Sequence, residues 1–300
     1  MTESEFIALE GNVNKGWKSY FQTNVDYSKG LYKFKKNKAG QFTDYTTGAM
    51  GRMQPWQGTV AYDQFKYGYS KQYRAYKYST GIQIPKDMFD DSEYDNITTE
   101  VNRIAEGVLN TINFDSAKPF NDAWTASVLG ADGATLASAA HHLVPGDDAQ
   151  SNTSTAYSPN YADIESIRRI MRHWKNDRGD DMLVDGNMII AGDYWEDTLK
   201  KLFGSDKEAF SADNTDNVYK GFSFMIHPLI TGKTWAVVNK NTMLGGQGLN
   251  WFMKKDPRNI ERDGAVAAGD FNSEQISWKS VGRWDLGWTV WHFGYFCNPA

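Results

Sequence analysis

The stretch that most constrains this chain is residues 97–112, ITTEVNRIAEGVLNTI. Apolar residues fall at Ile97, Val101, Ile104, Ala105, Val108, Leu109 and Ile112, the spacing of a helix with one buried face. Upstream, Ser92-Glu93-Tyr94-Asp95 has the S-x-x-D form of a helix start, and Asp87, Asp90 and Asp91 place negative charge near its positive end. Pro119 lacks the N–H that an unbroken helix needs, so the pattern predicts a kink or stop near Lys118 and a resumption over 121–129. A long one-faced helix must be covered, and the cover has to come from elsewhere in the chain.

With 300 residues there is enough chain for a large core in one domain or two. Aromatic residues make up 14%, with 11 Trp, and 27 Gly stand against 8 Pro. Large flat side chains among glycine turns point to many strands and wide contact surfaces. The net charge of −5 offers no global attraction to nucleic acid or an acidic membrane. MTESEFIALEG lacks the basic and apolar regions of a signal peptide, and no run of 18 apolar residues occurs. One cysteine, Cys297, excludes an intrachain disulfide and fits a reducing compartment.

Residues 1–60 have weak periodicity. Phe6, Ile7 and Leu9 suit a short helix, but Gly11, Gly16, Gly30 and Gly40 punctuate the chain after them, so the segment reads as an extended arm lying on another surface. Lys29, Lys33, Lys35, Lys36 and Lys38 form a basic run. It suits a solvated loop or a lysine-protected edge strand or, alternatively, contact with a polyanion or acidic neighbour. From 56 to 85 the pattern is β: Tyr67, Tyr69, Tyr73, Tyr76 and Tyr78 recur, and apolar residues alternate with polar ones up to Pro85. This predicts a long hairpin or ribbon, too thin to stand alone.

Residues 130–160 are small, polar and aperiodic, a connection to a second lobe. That lobe opens with a helix after Ser158-Pro159, buried through Ile164, Ile167, Ile170, Met171 and Trp174 and ended by Gly179. A strand over 187–191, a helix over 194–203 and strands over 221–230 and 233–239 predict a mixed sheet with helices on it. The chain closes with strands 275–284 and 288–296, joined by an Asp285-Leu286-Gly287 turn into a hairpin that covers the long helix.

Catalytic constellations are missing from the sequence. Thr231-Gly232-Lys233-Thr234 ends like a phosphate loop, but His227 stands where a glycine is needed and the segment joins two strands. Gly245-Gly246-Gln247-Gly248 follows no βαβ strand. His141-His142 is not accompanied by a metal-binding pattern, and His173, His227 and His292 fall in structured elements as packing residues. The tryptophans fall in core elements, which favours packing over sugar stacking. No catalytic, cofactor or metal residue is assigned; the enzyme alternative is a cytoplasmic hydrolase built on His141, His142 and Asp147 or Asp148.

Three local patterns stand out in order. They are Trp56-x-Gly58 running through 78–84 to Asp90-Asp91; Asp132-Gly133-x-x-Leu136-x-Ser138-x-x-His141; and Gly282-Arg283-Trp284-x-x-Gly287-Trp288-x-x-Trp291. Together with the order of parts along the chain, they resemble the major capsid protein of tailed bacteriophages with the HK97-type fold, and Mu-like major head subunits in particular. The resemblance covers roughly residues 50–300. It implies an α+β chain divided into an N-terminal arm (1–55), an E-loop ribbon (56–85), a P-domain with the spine helix (86–135), an axial A-domain (136–250) and returning P-domain strands (251–300).

It further implies a non-enzymatic shell protein of the virion, assembled in the host cytoplasm as hexamers and pentamers around double-stranded DNA. Portal, scaffold or maturation protease, and cement proteins are the implied partners, with no cofactor and no membrane. An encapsulin-type compartment is the alternative within the fold. Tyr67, Tyr69, Tyr73, Tyr76, Tyr78, Lys35 and Lys36 are the candidate inter-subunit contacts.

Overall fold

The computed structural model describes residues 3–36, 38–53, 55, 56, 58–60, 62–64, 66–85, 87, 88, 91, 94–207, 216–246, 248–262 and 275–299. Helix α1 spans Glu3–Thr23 and α2 Ser28–Leu31, followed by strands β1 (Lys33–Lys36), β2 (Gln41–Thr47), β3 (Tyr67–Arg74) and β4 (Tyr76–Pro85). The long helix is α3, Tyr94–Asn121. At 1.5 Å per residue it is about 42 Å long. All seven residues of its expected stripe are buried in one core. Ser92 and Glu93 of the expected helix start lie outside the described residues. The helix neither stops at Lys118 nor resumes over 121–129: Pro119 is accommodated within its last turn, and turns follow Asn121.

α1 corrects the expectation of an extended arm. It runs through Gly11 and Gly16 and packs along α3, placing Val13, Trp17 and Phe21 in the core. Two helical glycines cost about 1 kcal/mol each. Burial of Trp17 outweighs this: a tryptophan covers about 200 Å², worth about 5 kcal/mol at 25 cal/mol per Å². Its Nε1–H donates to the Arg258 carbonyl at 2.7 Å, so the indole is both packed and satisfied.

The ribbon is also built differently from the expected 56–85 hairpin. β3 and β4 do not pair with each other. β3 pairs antiparallel with β2, and β4 pairs with β11 (Gln275–Trp288) over ten residue pairs. β11 then continues onto β9 (Leu249–Lys255), which sequence reading missed, and also pairs with β10 (Ile260–Arg262). β1 lies parallel on β9 at the edge of this sheet, where the edge-strand reading of Lys33, Lys35 and Lys36 had put it.

The expected closing hairpin does not form either. β11 runs straight through Asp285-Leu286-Gly287, because those residues pair with Phe252, Trp251 and Asn250. Gly287 is a close-approach residue, since a Cβ there would lie 2.6 Å from the Tyr73 ring. The chain crosses over at 289–293, and β12 (Gly294–Cys297) joins a different sheet.

That second sheet has the order β5 (Thr153–Ser154), β12, β8 (Trp235–Val238), β6 (Met188–Ala191), β7 (Ser223–Ile226). β6 and β8 are buried on both faces. Met188, Ile190, Ala236 and Val238 enter the core of α3, whereas Ile189, Ala191, Trp235 and Val237 face a second core. Helices α4 (Tyr161–Arg172) and α5 (Glu196–Gly204) cover that far side. A short helix α6, Lys240–Leu244, leads back to β9. The sheet is therefore a shared wall, and its continuous apolar runs follow from having no wet face.

α4 is capped by Asn160, whose side chain accepts the Asp163 N–H, and ends at Arg172, short of Gly179. The 231–234 segment joins two strands that are not neighbours, because β7 and β8 lie on opposite sides of β6. Residues 130–160 are a packed connection rather than a loose one: Leu136, His141 and Asn152 are fully buried.

Candidate assembly surfaces

The ribbon grows out of the sheet by a joint of aromatic and charged side chains. Tyr73 stacks on Phe252 with centroids 4.3 Å apart and donates its hydroxyl to the Trp288 carbonyl. Burial pushes that phenol's pKa up. Lys71 lies over the Tyr73 and Trp288 rings at 5.0 and 4.9 Å, and donates to the Leu129 carbonyl at 2.6 Å. Desolvation lowers its pKa, opposed by the nearby Asp285 and Asp132 carboxylates. On the other side of the joint Lys35 pairs with Asp44 at 2.8 Å and lies over Phe252, and Asp44 accepts the Thr289 hydroxyl at 2.6 Å.

The candidate contact residues are thus split. Tyr73 is spent inside the chain, 2% exposed. Tyr78 is half-buried, stacked on Trp284 at 4.2 Å, and Tyr69 is half-buried towards the loop end of β3. Lys35 is tied to Asp44. Tyr67, Tyr76 and Lys36 are exposed.

Beyond the joint, the loop between β2 and β3 exposes large apolar side chains that the sequence does not single out as contacts: Met53 is 99% exposed, Tyr62 91% and Trp56 72%, and Met50 and Val60 are exposed as well. The available signal was large apolar side chains inside a polar, glycine-punctuated stretch. Eight of the eleven tryptophans are buried, and Trp56 alone is exposed. The core reading of tryptophan therefore holds everywhere except on this loop.

Two of the sequence patterns prove to be one piece of construction. Asp132 Oδ1 accepts the Ala134 N–H, Gly133 takes φ +76°, and Asp132 Oδ2 binds His141 Nδ1 at 2.6 Å. Leu136 fills the core, its carbonyl accepting from Asn152 and lying 3.2 Å from His141 Nε2. His141 then stacks on Trp291 of the third pattern, centroids 4.9 Å apart and planes 10° apart. The Trp291 Nε1–H donates to the His142 carbonyl at 3.3 Å.

This geometry argues against the hydrolase alternative. Both His141 ring nitrogens are engaged within the chain, the ring is fully buried, and His142 Nδ1 binds the Asp147 backbone carbonyl. A Ser–His pair the sequence did not reveal, Ser116 Oγ to His227 Nε2 at 2.8 Å, is likewise sealed. The Leu229 N–H donates to His227 Nδ1, which places the neutral ring's proton on Nε2, and burial lowers its pKa to about 4. His292 is buried with a pKa of about 4 for the same reason. His173, expected as packing, is instead exposed at the end of α4, 3.6 Å from Asp181. Cys297 is buried and its thiol pKa raised, which makes it inert. Among the described residues there is no cluster of His, Cys, Asp and Glu suited to a metal ion.

A long helix under an extended sheet, a mixed lobe sharing a wall with it, and a projecting ribbon define a structural protein of the HK97-like class. Residues 68–296 match the family model described as phage capsid protein, and the chain belongs to that family. It is a major capsid protein, a component of the phage head and not an enzyme.

The fold is similar to the procapsid of bacteriophage JBD30, at TM-score 0.59 and 10% identity, covering 100% of this chain and 77% of that one. It is also similar to a virus-like particle from Pyrococcus furiosus (TM-score 0.56, 7% identity, 95% and 98% covered) and to Microbacterium phage Oxtober96 (TM-score 0.53, 12% identity, 92% of each covered). None of the curated proteins matches the sequence.

Proposed function

We propose that the chain assembles into hexamers and pentamers of an icosahedral or prolate head that encloses double-stranded DNA, with the ribbon lying on a neighbouring copy. In this reading α3 with its sheet is the P-domain, the lobe covering the shared wall is the A-domain, and β2, β3 and residues 48–66 form the E-loop. One observation carries the proposal: the exposed edge of Met53, Trp56 and Tyr62, which nothing within the described chain covers. Head-to-tail contacts whose rotation closes give rings. The net charge of −5 suits a lining that does not grip packaged DNA phosphate by phosphate. Portal, scaffold or maturation protease, and cement proteins are the partners such a head requires, and assembly takes place in the host cytoplasm.

The test is removal of the loop without touching the core. The Gly48 N–H donates to the Lys66 carbonyl at 2.9 Å, so the two arms are close enough for a short bridge. Replacing 50–64 by two glycines is expected to leave a folded subunit that forms no shells in electron micrographs. The replacement stops short of β3, because Tyr73 is buried with Phe42, Ala75 and Phe252. Shells that form normally without the loop overturn the proposal, and shells holding a cargo protein instead of DNA would favour the compartment reading.

A further inference from the structure

Where the ribbon leaves its joint, both arms of its loop meet the turn that follows α4 in the lobe. That turn is built to present charge: Asn176 Oδ1 accepts the N–H groups of Arg178 and Asp180 at 2.9 and 3.0 Å, and Gly179 takes φ +82°. Asp177 Oδ1 accepts the Ala49 N–H at 2.7 Å. Arg178 Nε donates to the Ala49 carbonyl at 2.9 Å, and its Nη2 reaches Asp63 Oδ1 at 2.7 Å. Asp63 Oδ2 accepts the Gly51 N–H at 2.6 Å, which closes the ring of contacts across the loop. Arg52 pairs with Asp180, and Lys66 with Asp177.

The backbone comes close to the carboxylates at two glycines. A Cβ on Gly48 would lie 2.7 Å from Asp177 Oδ2, and one on Gly51 3.0 Å from Asp63 Oδ2. The Asp177 side chain is 1% exposed, so its contacts are shielded from salt far more than those of Arg52 at 77%. The Gly51 N–H and then the Arg178 guanidinium hold the Asp63 carboxyl below the usual carboxylate range, so it stays charged at neutral pH.

We propose that these residues form a charged clasp within one chain, fixing the loop against its own lobe so that its apolar edge meets a second copy already ordered. A free loop would lose its conformational freedom at the moment of docking and bind more weakly for it; the clasp moves that cost to folding. The docking role rests on the shell reading above, whereas the clasp itself does not.

Hydrogen exchange read by mass spectrometry on the unassembled subunit separates the two. In Arg178→Ala, and in Asp177→Asn with Arg178→Ala, amide exchange across 48–66 is expected to rise at least tenfold. Exchange in β6 and β8 should stay at the wild-type rate, which shows that the lobe is still folded. Shell yield is expected to fall several-fold, and Asp63→Arg with Arg178→Asp to recover part of both. Loop exchange unchanged in the variants overturns the clasp. Faster loop exchange with undiminished shell yield overturns its role in docking and leaves the shell reading standing. Wild-type chain that makes no shells at any concentration is the failure of the shell reading, and the exchange measurement still decides the clasp.

Discussion

The lobe sheet and the ribbon are both β structure, yet one is covered on both faces and the other touches the rest of the chain only in places, at Phe42, Thr46 and Tyr73 and through the clasp. β6 and β8, MIIA and WAVV, are wholly buried and divide alternate side chains between two cores. β3 buries Tyr73 near its root and leaves Tyr67 84% exposed at its far end, and the loop beyond exposes Met53, Trp56 and Tyr62. The difference separates two kinds of information in one chain. Residues in the wall specify the subunit, and residues on the loop specify what the subunit meets.

The comparison breaks most visibly if the wall is tolerant. Trp235→Ala removes a fully buried ring that touches the second core and donates to the Tyr157 carbonyl; a loss of about 4 kcal/mol in urea unfolding is expected. Acid should act on the same interior. The buried rings of His227 and His292 titrate at about 4. The unfolded chain takes up their protons near pH 6.5 and the folded chain does not, so stability is level above about pH 6.5 and falls between about 6.5 and 4. Below about 4 their contribution flattens, after a loss of at most about 3 kcal/mol for each ring. Unfolding midpoints measured across that window check the sign, and His292→Phe should remove part of the slope.

Asp115 sharpens the comparison at the spine. It is buried, accepts the Trp284 Nε1–H at 2.8 Å and pairs with Lys118 at 2.6 Å, which locks α3 to β11. Asp115→Ala is expected to cost about 2 kcal/mol, read from the same unfolding curves. At the small end, Arg169→Ala on the exposed face of α4 breaks only an ion pair to Glu165 and should move stability by less than about 0.5 kcal/mol.

How much of the fold was legible depends on the range of the interactions. The α3 stripe and the runs of β6 and β8 are local patterns, and each falls where the spacing put it; of the α4 stripe Ile164, Ile167 and Met171 are buried in the helix, Ile170 is half-buried and Trp174 is buried beyond the helix end. α1 was not legible over its length, because its anchors Val13, Trp17 and Phe21 stand among polar residues and are interrupted by Gly16, with Gly11 separating them from Phe6, Ile7 and Leu9. Its stability comes from α3, far along the chain. Asp285-Leu286-Gly287 reads as a turn until β9 lies beside it, and Gly287 is there to admit Tyr73. The Asp132–His141 and Gly282–Trp291 patterns were visible separately; their meeting through the His141–Trp291 stack is a tertiary fact. The contact tyrosines illustrate the same limit, since alternation cannot say which of two faces the rest of the chain will cover.

The central claim is that the subunit is complete without its loop edge and the shell is not. Met53→Ser with Trp56→Ser tests it directly, by urea unfolding and sedimentation of the same preparation. The account predicts an unfolding midpoint indistinguishable from wild type together with loss of the fast-sedimenting shell species. Shells formed at wild-type yield, or a subunit that no longer folds, would contradict it.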